Sequence, residues 1–188
     1  AGAQEENLHR RTNLHKFLYE QQAWIYPIDD RVLLSRNVLV FRGPEHAGYP
    51  FLQIPFRIDV VSAAAVQQRW GVASSRWSDT TMANRMRTLL EAIKQSECQA
   101  AILSAWGCGA YGNDPYKIAQ LFHAALNASH GMRNVEFYFC ILDDHNTFSE
   151  HNPRGNLTPF VEEFSSFTTV GVPQSVQQYR SPEHIVLC

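Results

Sequence analysis

Residues 100–115 constrain the fold more than any other stretch of the chain. Ala100-Ala101-Ile102-Leu103-Ser104-Ala105 is a short apolar run, three glycines follow at 107, 109 and 112, and Asp114-Pro115 opens a helical pattern. An apolar strand feeding directly into a helix requires a sheet around the strand and a helical layer over it. Asp114 suits the N-cap and Pro115 the first helical position. Gly107, Gly109 and Gly112 also satisfy G-x-G-x-x-G. In that arrangement glycines let backbone approach a ligand, and free N–H groups at a helix start attract a phosphate. The plainer alternative is a tight turn with no ligand, but the strand-loop-helix context favours a diphosphate.

A nicotinamide-binding Rossmann unit fits less well. Its ribose-binding acid should follow the glycines by about 20 residues, whereas Asp143 or Asp144 follows Gly112 by about 31. That fingerprint also belongs on the first strand of its domain, and here one further clear strand remains.

Elsewhere the pattern alternates. Residues 5–18 read as a helix with Leu8, Leu14, Phe17 and Leu18 on its apolar face, and 37–41 read as a strand. Residues 43–50 are turn chemistry, and 56–64 turn from alternating to apolar as a central strand does. A helix is expected over 78–96, capped by Ser78 or Asp79, with Met82, Met86, Leu89, Leu90 and Ile93 as its buried face. Another is expected over 115–128, then a strand over 135–142 and a short helix over 157–164. The class is α/β with a parallel or mixed sheet. The domain is expected over 1–172, with 173–188 as a C-terminal tail of weak periodicity.

Composition limits the function classes. The chain of 188 residues is 45% hydrophobic and 18% charged with a net charge of -2, which suits a folded domain and gives no bulk basic surface for duplex nucleic acid. No apolar run approaches the roughly 18 residues of a membrane-spanning helix. Cys98, Cys108, Cys140 and Cys188 form no C-x-x-C pair, and two of them sit in apolar runs. Reduced, buried thiols are the expectation for Cys98 and Cys140, and with them a cytoplasmic or nuclear location. The opening Ala1-Gly2-Ala3-Gln4 lacks an initiator methionine and a signal-peptide pattern, so a longer parent polypeptide is expected.

Gln4-Glu5-Glu6 opens the first helix. Acids in a first turn serve the helix dipole, and Glu5/His9 and Glu6/Arg10 have the spacing of helical ion pairs. The functional alternative is general acid/base work by one glutamate while the other positions a substrate hydroxyl, since adjacent helical side chains diverge by about 100°. Asp143-Asp144-His145 and Glu150-His151 are read as a hydrated polar loop rather than a metal cluster.

Taken in order, these segments resemble the microbial-type poly(ADP-ribose) glycohydrolases. Ala3-Gln4-Glu5-Glu6-Asn7-Leu8 with Arg10-Arg11-Thr12-Asn13-Leu14 is similar to the family's catalytic region, which follows a glycine triplet. Asp59-Val60-Val61-Ser62-Ala63-Ala64-Ala65 resembles its central strand, and residues 105–115 resemble its diphosphate loop closely. The similarity spans roughly residues 3–160 in the family's order.

The resemblance implies a macrodomain-like three-layer α/β/α sandwich on a central mixed sheet, with the first strand or strands and the glycine triplet expected upstream of Ala1. It implies hydrolysis of ribose–ribose O-glycosidic bonds in poly(ADP-ribose), with Glu6 catalytic and Glu5 holding the adjacent ribose. Gln4, Gly107, Cys108, Gly109, Ala110, Tyr111, Gly112 and Asn113 would contact substrate, Tyr111 beside the terminal ribose. Neither a metal nor a redox cofactor is implied, and the partners would be ADP-ribose, its polymer and ADP-ribosylated proteins. Asn146 and Phe148 are a fold-level candidate for contacting adenine. The alternatives are a non-catalytic ADP-ribose-binding module and a hydrolase of mono-ADP-ribosyl-protein.

Overall fold

The computed structural model describes residues 4–19, 28, 30–68, 77–130, 132, 134–167 and 185–187. Its elements in chain order are α1 Gln4–Arg11, α2 Leu14–Tyr19, β1 Val32–Arg42, β2 Phe51–Ala63, α3 Asp79–Ser96, β3 Ala100–Leu103, α4 Pro115–Ala128, β4 Glu136–Phe139, α5 Leu157–Glu163 and β5 Ile185–Leu187. The five strands form one sheet in the order β1-β2-β5-β3-β4. β1 runs antiparallel to β2, and the other three pairings are parallel. The carboxyl ends of β2, β5, β3 and β4 therefore share one edge, which is where ligands bind in open α/β sheets.

Side-chain alternation sorts the core onto two faces. Ile58 and Val60 of β2 join Val38 and Val40 of β1 in a cluster with Leu14 and Leu18 of α2. Val61, one residue on, faces the other way into the larger cluster with Met82, Met86, Leu89, Leu90 and Ile93 of α3 and Ile118, Ala119 and Phe122 of α4. A period of two along β2 and helices on both faces give the expected α/β/α sandwich with a mixed sheet. Phe122 is 1% exposed and sits beside Phe139 at 5.5 Å, while Phe160 lies 5.2 Å from Phe139, so one aromatic cluster joins α4, β4 and α5. Burying a side chain of that size contributes roughly 1.5–3 kcal/mol.

The capping predictions hold. Ser78 accepts from Thr81 N at 3.0 Å at the start of α3, and Asp114 accepts from Tyr116 N at 2.9 Å with Pro115 behind it in α4. Several details differ. β4 spans Glu136–Phe139, half of the strand expected over 135–142. The single helix expected over 5–18 is two. Thr12 bridges to Val40 and its hydroxyl accepts from Leu14 N at 3.0 Å, while Asn13 Oδ1 accepts from Leu39 N at 2.8 Å, so two residues leave the helix to bind the sheet edge. β1 is 11 residues long, not five. Its polar Ser35-Arg36-Asn37 interruption is a bulge, with Asn37 at φ 59° and its N–H donating to buried Asp59 Oδ1 at 2.8 Å. β2 likewise starts earlier, at Phe51; Pro55 is tolerated because β5 pairs only with Asp59 and Val60.

The tail reading needs correction at its end. Residues 185–187 form β5, which fills the space between β2 and β3 and pairs with both. Three residues are too few to display a period in sequence. Trp70 and residues 173–184 lie outside the described residues.

Candidate active site

The glycine loop leaves β3 at the shared carboxyl edge and is tied on one side to the segment that follows β2. Trp106 Nε1 donates to Ala63 O at 3.2 Å, Gln68 N donates to Tyr111 O at 2.8 Å, and the Asn113 side-chain amide donates to Val66 O at 2.9 Å and Gly107 O at 3.0 Å. Asn113 is fully buried. It is the strut of the loop, and its own N–H closes on Gly107 O at 3.1 Å.

Two glycines are required for different reasons. Gly107 has φ 78°, and a Cβ there would stand 2.5 Å from both Ala65 Cβ and Asn113 Nδ2. The protein itself excludes a side chain at 107. At Gly109 the nearest atoms to a Cβ would be those of Asn146 at 3.9 Å and 4.0 Å, an ordinary contact. Nothing among the described residues forbids a side chain at 109, so the bare backbone there keeps space open above the loop.

Cys108 N donates to Ala105 O at 3.0 Å, Gly112 N to Gly109 O at 3.0 Å, and Asn113 N to Gly107 O. The N–H groups of Gly109, Ala110 and Tyr111 make no hydrogen bond among the described residues. Three consecutive free donors on a partly exposed loop at a helix start form an anion cradle. Of the loop residues expected to touch substrate, Gly107, Gly109, Ala110 and Tyr111 thus present N–H groups with no partner among the described residues, the last three in an unbroken row. Cys108, Gly112 and Asn113 have theirs committed internally. The Cys108 side chain is fully buried in the core, where desolvation pushes its thiol well above the ordinary range. Tyr111 is 39% exposed at the loop tip, available to a ligand.

The loop after β4 braces the other flank. His151 Nε2 lies 2.8 Å from Cys108 O and its Nδ1 3.0 Å from Ser149 Oγ. Asn152, 1% exposed, bridges Asn146 O and Asn156 Oδ1 at 3.1 Å and 2.8 Å. Asp143 accepts from Asn156 N at 2.6 Å and Leu157 N at 3.3 Å at the start of α5, and Asp144 accepts from Asn146 N at 2.8 Å. Both carboxylates serve backbone N–H groups. Sequence reasoning placed His151 in a hydrated loop. Its partner is 43 residues away, and no local pattern reports such a contact.

The paired glutamates sit elsewhere on the sheet. Glu6 pairs with Arg10 at 2.6 Å, and Glu5 lies 3.7 Å from His9. Their side chains are 42% and 49% exposed. α1 docks on the β1–β2 hairpin, where Arg11 Nε donates to Arg42 O at 3.4 Å and Asn7 Nδ2 to Glu45 Oε2 at 3.3 Å. Tyr49 and Glu6 beside it raise the Arg10 guanidinium above its ordinary value. α1 thus packs at the amino end of β2, while the glycine loop is tied to its carboxyl end, so the described residues do not bring the glutamates to the loop.

No protein-family model matches the chain, and no curated protein matches it in sequence. Solved structures do match. Poly(ADP-ribose) glycohydrolase from Deinococcus radiodurans in complex with ADP-ribose aligns at TM-score 0.71 with 26% identity, over 89% of this chain and 70% of that one. The chain has the fold of the microbial-type poly(ADP-ribose) glycohydrolases. The apo form of the Deinococcus glycohydrolase aligns at TM-score 0.68 with 25% identity, over 88% and 70% of the two chains. The Thermomonospora curvata glycohydrolase bound to the inhibitor ADP-HPD aligns at TM-score 0.63 with 25% identity, over 89% and 63%. Within this glycohydrolase fold, the open donors at 109–111 lie at the carboxyl edge of the parallel strands.

Proposed function

We propose that the chain hydrolyses ribose–ribose O-glycosidic bonds in poly(ADP-ribose) and releases ADP-ribose. The observation that carries this reading is the row of open N–H groups at Gly109, Ala110 and Tyr111 above a glycine that the fold does not itself require, in a chain with the glycohydrolase fold. A diphosphate seated there would be met by backbone dipoles, consistent with a net charge of only -2. Tyr111 would flank the terminal ribose, and Phe148, 68% exposed in the loop that approaches Gly109, is a candidate for the adenine.

For the chemistry, Glu6 protonates the departing ribose oxygen, the ring oxygen stabilises oxocarbenium character, and Glu6 then takes a proton from the attacking water. Glu5 and Gln4 hold the ribose beside the scissile bond. The Glu6–Arg10 ion pair holds the Glu6 side chain in place at 2.6 Å. The first step requires substrate to cover Glu6 and replace water around it. ADP-ribosylated proteins carrying the polymer are the expected partners.

The same ion pair favours a second reading, an ADP-ribose-binding module without turnover. Calorimetry with ADP-ribose, run beside a chromatographic assay for ADP-ribose released from polymer, separates the two. Binding with release supports the hydrolase; binding without release makes the chain a reader; a mono-ADP-ribosylated protein as the sole cleaved substrate narrows the leaving group instead.

A further inference from the structure

We propose that His151 is a positioning residue for anion recognition, locking the Cys108–Gly109 peptide so that the Gly109 N–H faces the ligand. This deepens the functional reading above and rests on it. The carbonyl of Cys108 can only accept, so the imidazole nitrogen 2.8 Å away must carry the proton: His151 holds its Nε2–H form against that oxygen. A trans peptide is planar, with its C=O and the following N–H on opposite sides. Fixing the Cys108 carbonyl toward His151 therefore fixes the Gly109 N–H away from it, on the open side of the loop. The next peptide is set in the same manner. Gly109 O is held by Gly112 N at 3.0 Å, which turns the Ala110 N–H outward.

The lock is needed because of the residue it holds. Gly109 has no Cβ, so rotation of the 108–109 peptide meets little steric resistance. A flipped peptide would present a carbonyl oxygen to the phosphate in place of a donor. His151 is itself well anchored. Its Nδ1 accepts from Ser149 Oγ at 3.0 Å, Ser149 N donates to Asn152 Oδ1 at 3.1 Å, and Asn152 is tied to Asn156 at the start of α5. The imidazole thus transmits the position of a buried asparagine network to one exposed peptide.

The test compares the full chain with His151→Ala and His151→Gln, the latter retaining an N–H donor of similar reach. Calorimetry with ADP-ribose should show the alanine variant weakened roughly tenfold or more, the cost of a misdirected hydrogen bond, and the glutamine variant recovering most of the loss. Alanine binding as tightly as wild type overturns the proposal, as does glutamine binding as weakly as alanine, which would mean packing alone. If wild type itself fails to bind ADP-ribose, the functional reading fails separately. The positioning role is then decided in the unliganded protein by nitrogen NMR. A hydrogen-bonded Nε2–H on His151, and a Gly109 amide resonance that moves in His151→Ala and returns in His151→Gln, support it. An unmoved Gly109 resonance contradicts it.

Discussion

The side-chain amide of Asn113 donates to Gly107 O at 3.0 Å while Asn113 N donates to the same carbonyl at 3.1 Å, so the last residue of the glycine loop closes the loop upon its first glycine. The same amide reaches Val66 O at 2.9 Å, and both acceptors are carbonyls, so the donor must be nitrogen. Asn113→Asp keeps the shape and removes the donor. It should cost about 2–4 kcal/mol, because a buried carboxylate would face two carbonyl oxygens. The urea midpoint should fall accordingly; an unchanged midpoint would show that the strut is dispensable.

Gly107 and Gly109 should respond in opposite ways to the same substitution. Gly107→Ala forces a Cβ to 2.5 Å from Ala65 Cβ at a positive φ and should lose on the order of 1–3 kcal/mol of stability. Gly109→Ala meets only Asn146 at 3.9 Å and should keep its thermal midpoint within a degree or two while binding ADP-ribose roughly tenfold or more weakly. Melting curves and calorimetry on the pair check this, and equal stability losses at both positions would contradict the assignment of the space above Gly109 to ligand.

The thiols should differ in reactivity. Cys108 and Cys98 are buried and Cys140 is exposed. Burial raises the Cys108 thiol above its ordinary value, which removes the thiolate that alkylating reagents attack. Native-state iodoacetamide labelling followed by peptide mapping should find Cys140 modified well before Cys108, with Cys108 reacting on unfolding. Early labelling of Cys108 would mean that the loop opens far more readily than its hydrogen bonds imply.

Arg154 grips Glu162 through two hydrogen bonds, at 2.6 Å and 3.2 Å, and those bonds hold the Glu162 carboxyl below its ordinary value of 4.5. A carboxyl lowered on folding stabilises the native state above its unfolded value, and that contribution is lost as pH falls through the folded one. Glu162→Gln should therefore be slightly less stable than wild type at neutral pH, with the gap closing in acid. Urea midpoints across pH test the sign, and a gap that widens in acid would refute it.

Much of the architecture was legible because it rests on local chemistry. Ser78 and Asp114 cap where their side chains predict, and the five apolar positions expected on α3 are all buried. The polar bulge at Asn37 and the short strand at 185–187 were hidden, since one interrupts the hydrophobic pattern and the other is too brief to have one. At the site, the glycine loop announced itself, but which of its N–H groups remain open did not. That depends on Ala105, Gly107 and Gly109 as acceptors, on Asn113 as strut and on His151 from a distant loop. Long-range partners of this kind leave no trace in a single sequence.

The most direct measurement is release of ADP-ribose from poly(ADP-ribose) by wild type and by Glu6→Gln, with ADP-ribose affinity determined for both. Glu6 is 42% exposed with its carboxylate on Arg10, so the substitution should spare folding and leave affinity within about threefold. Wild type should release ADP-ribose and Glu6→Gln should lose that activity by at least about a hundredfold, as expected when a general acid/base is removed. Turnover by Glu6→Gln near the wild-type rate would contradict the account.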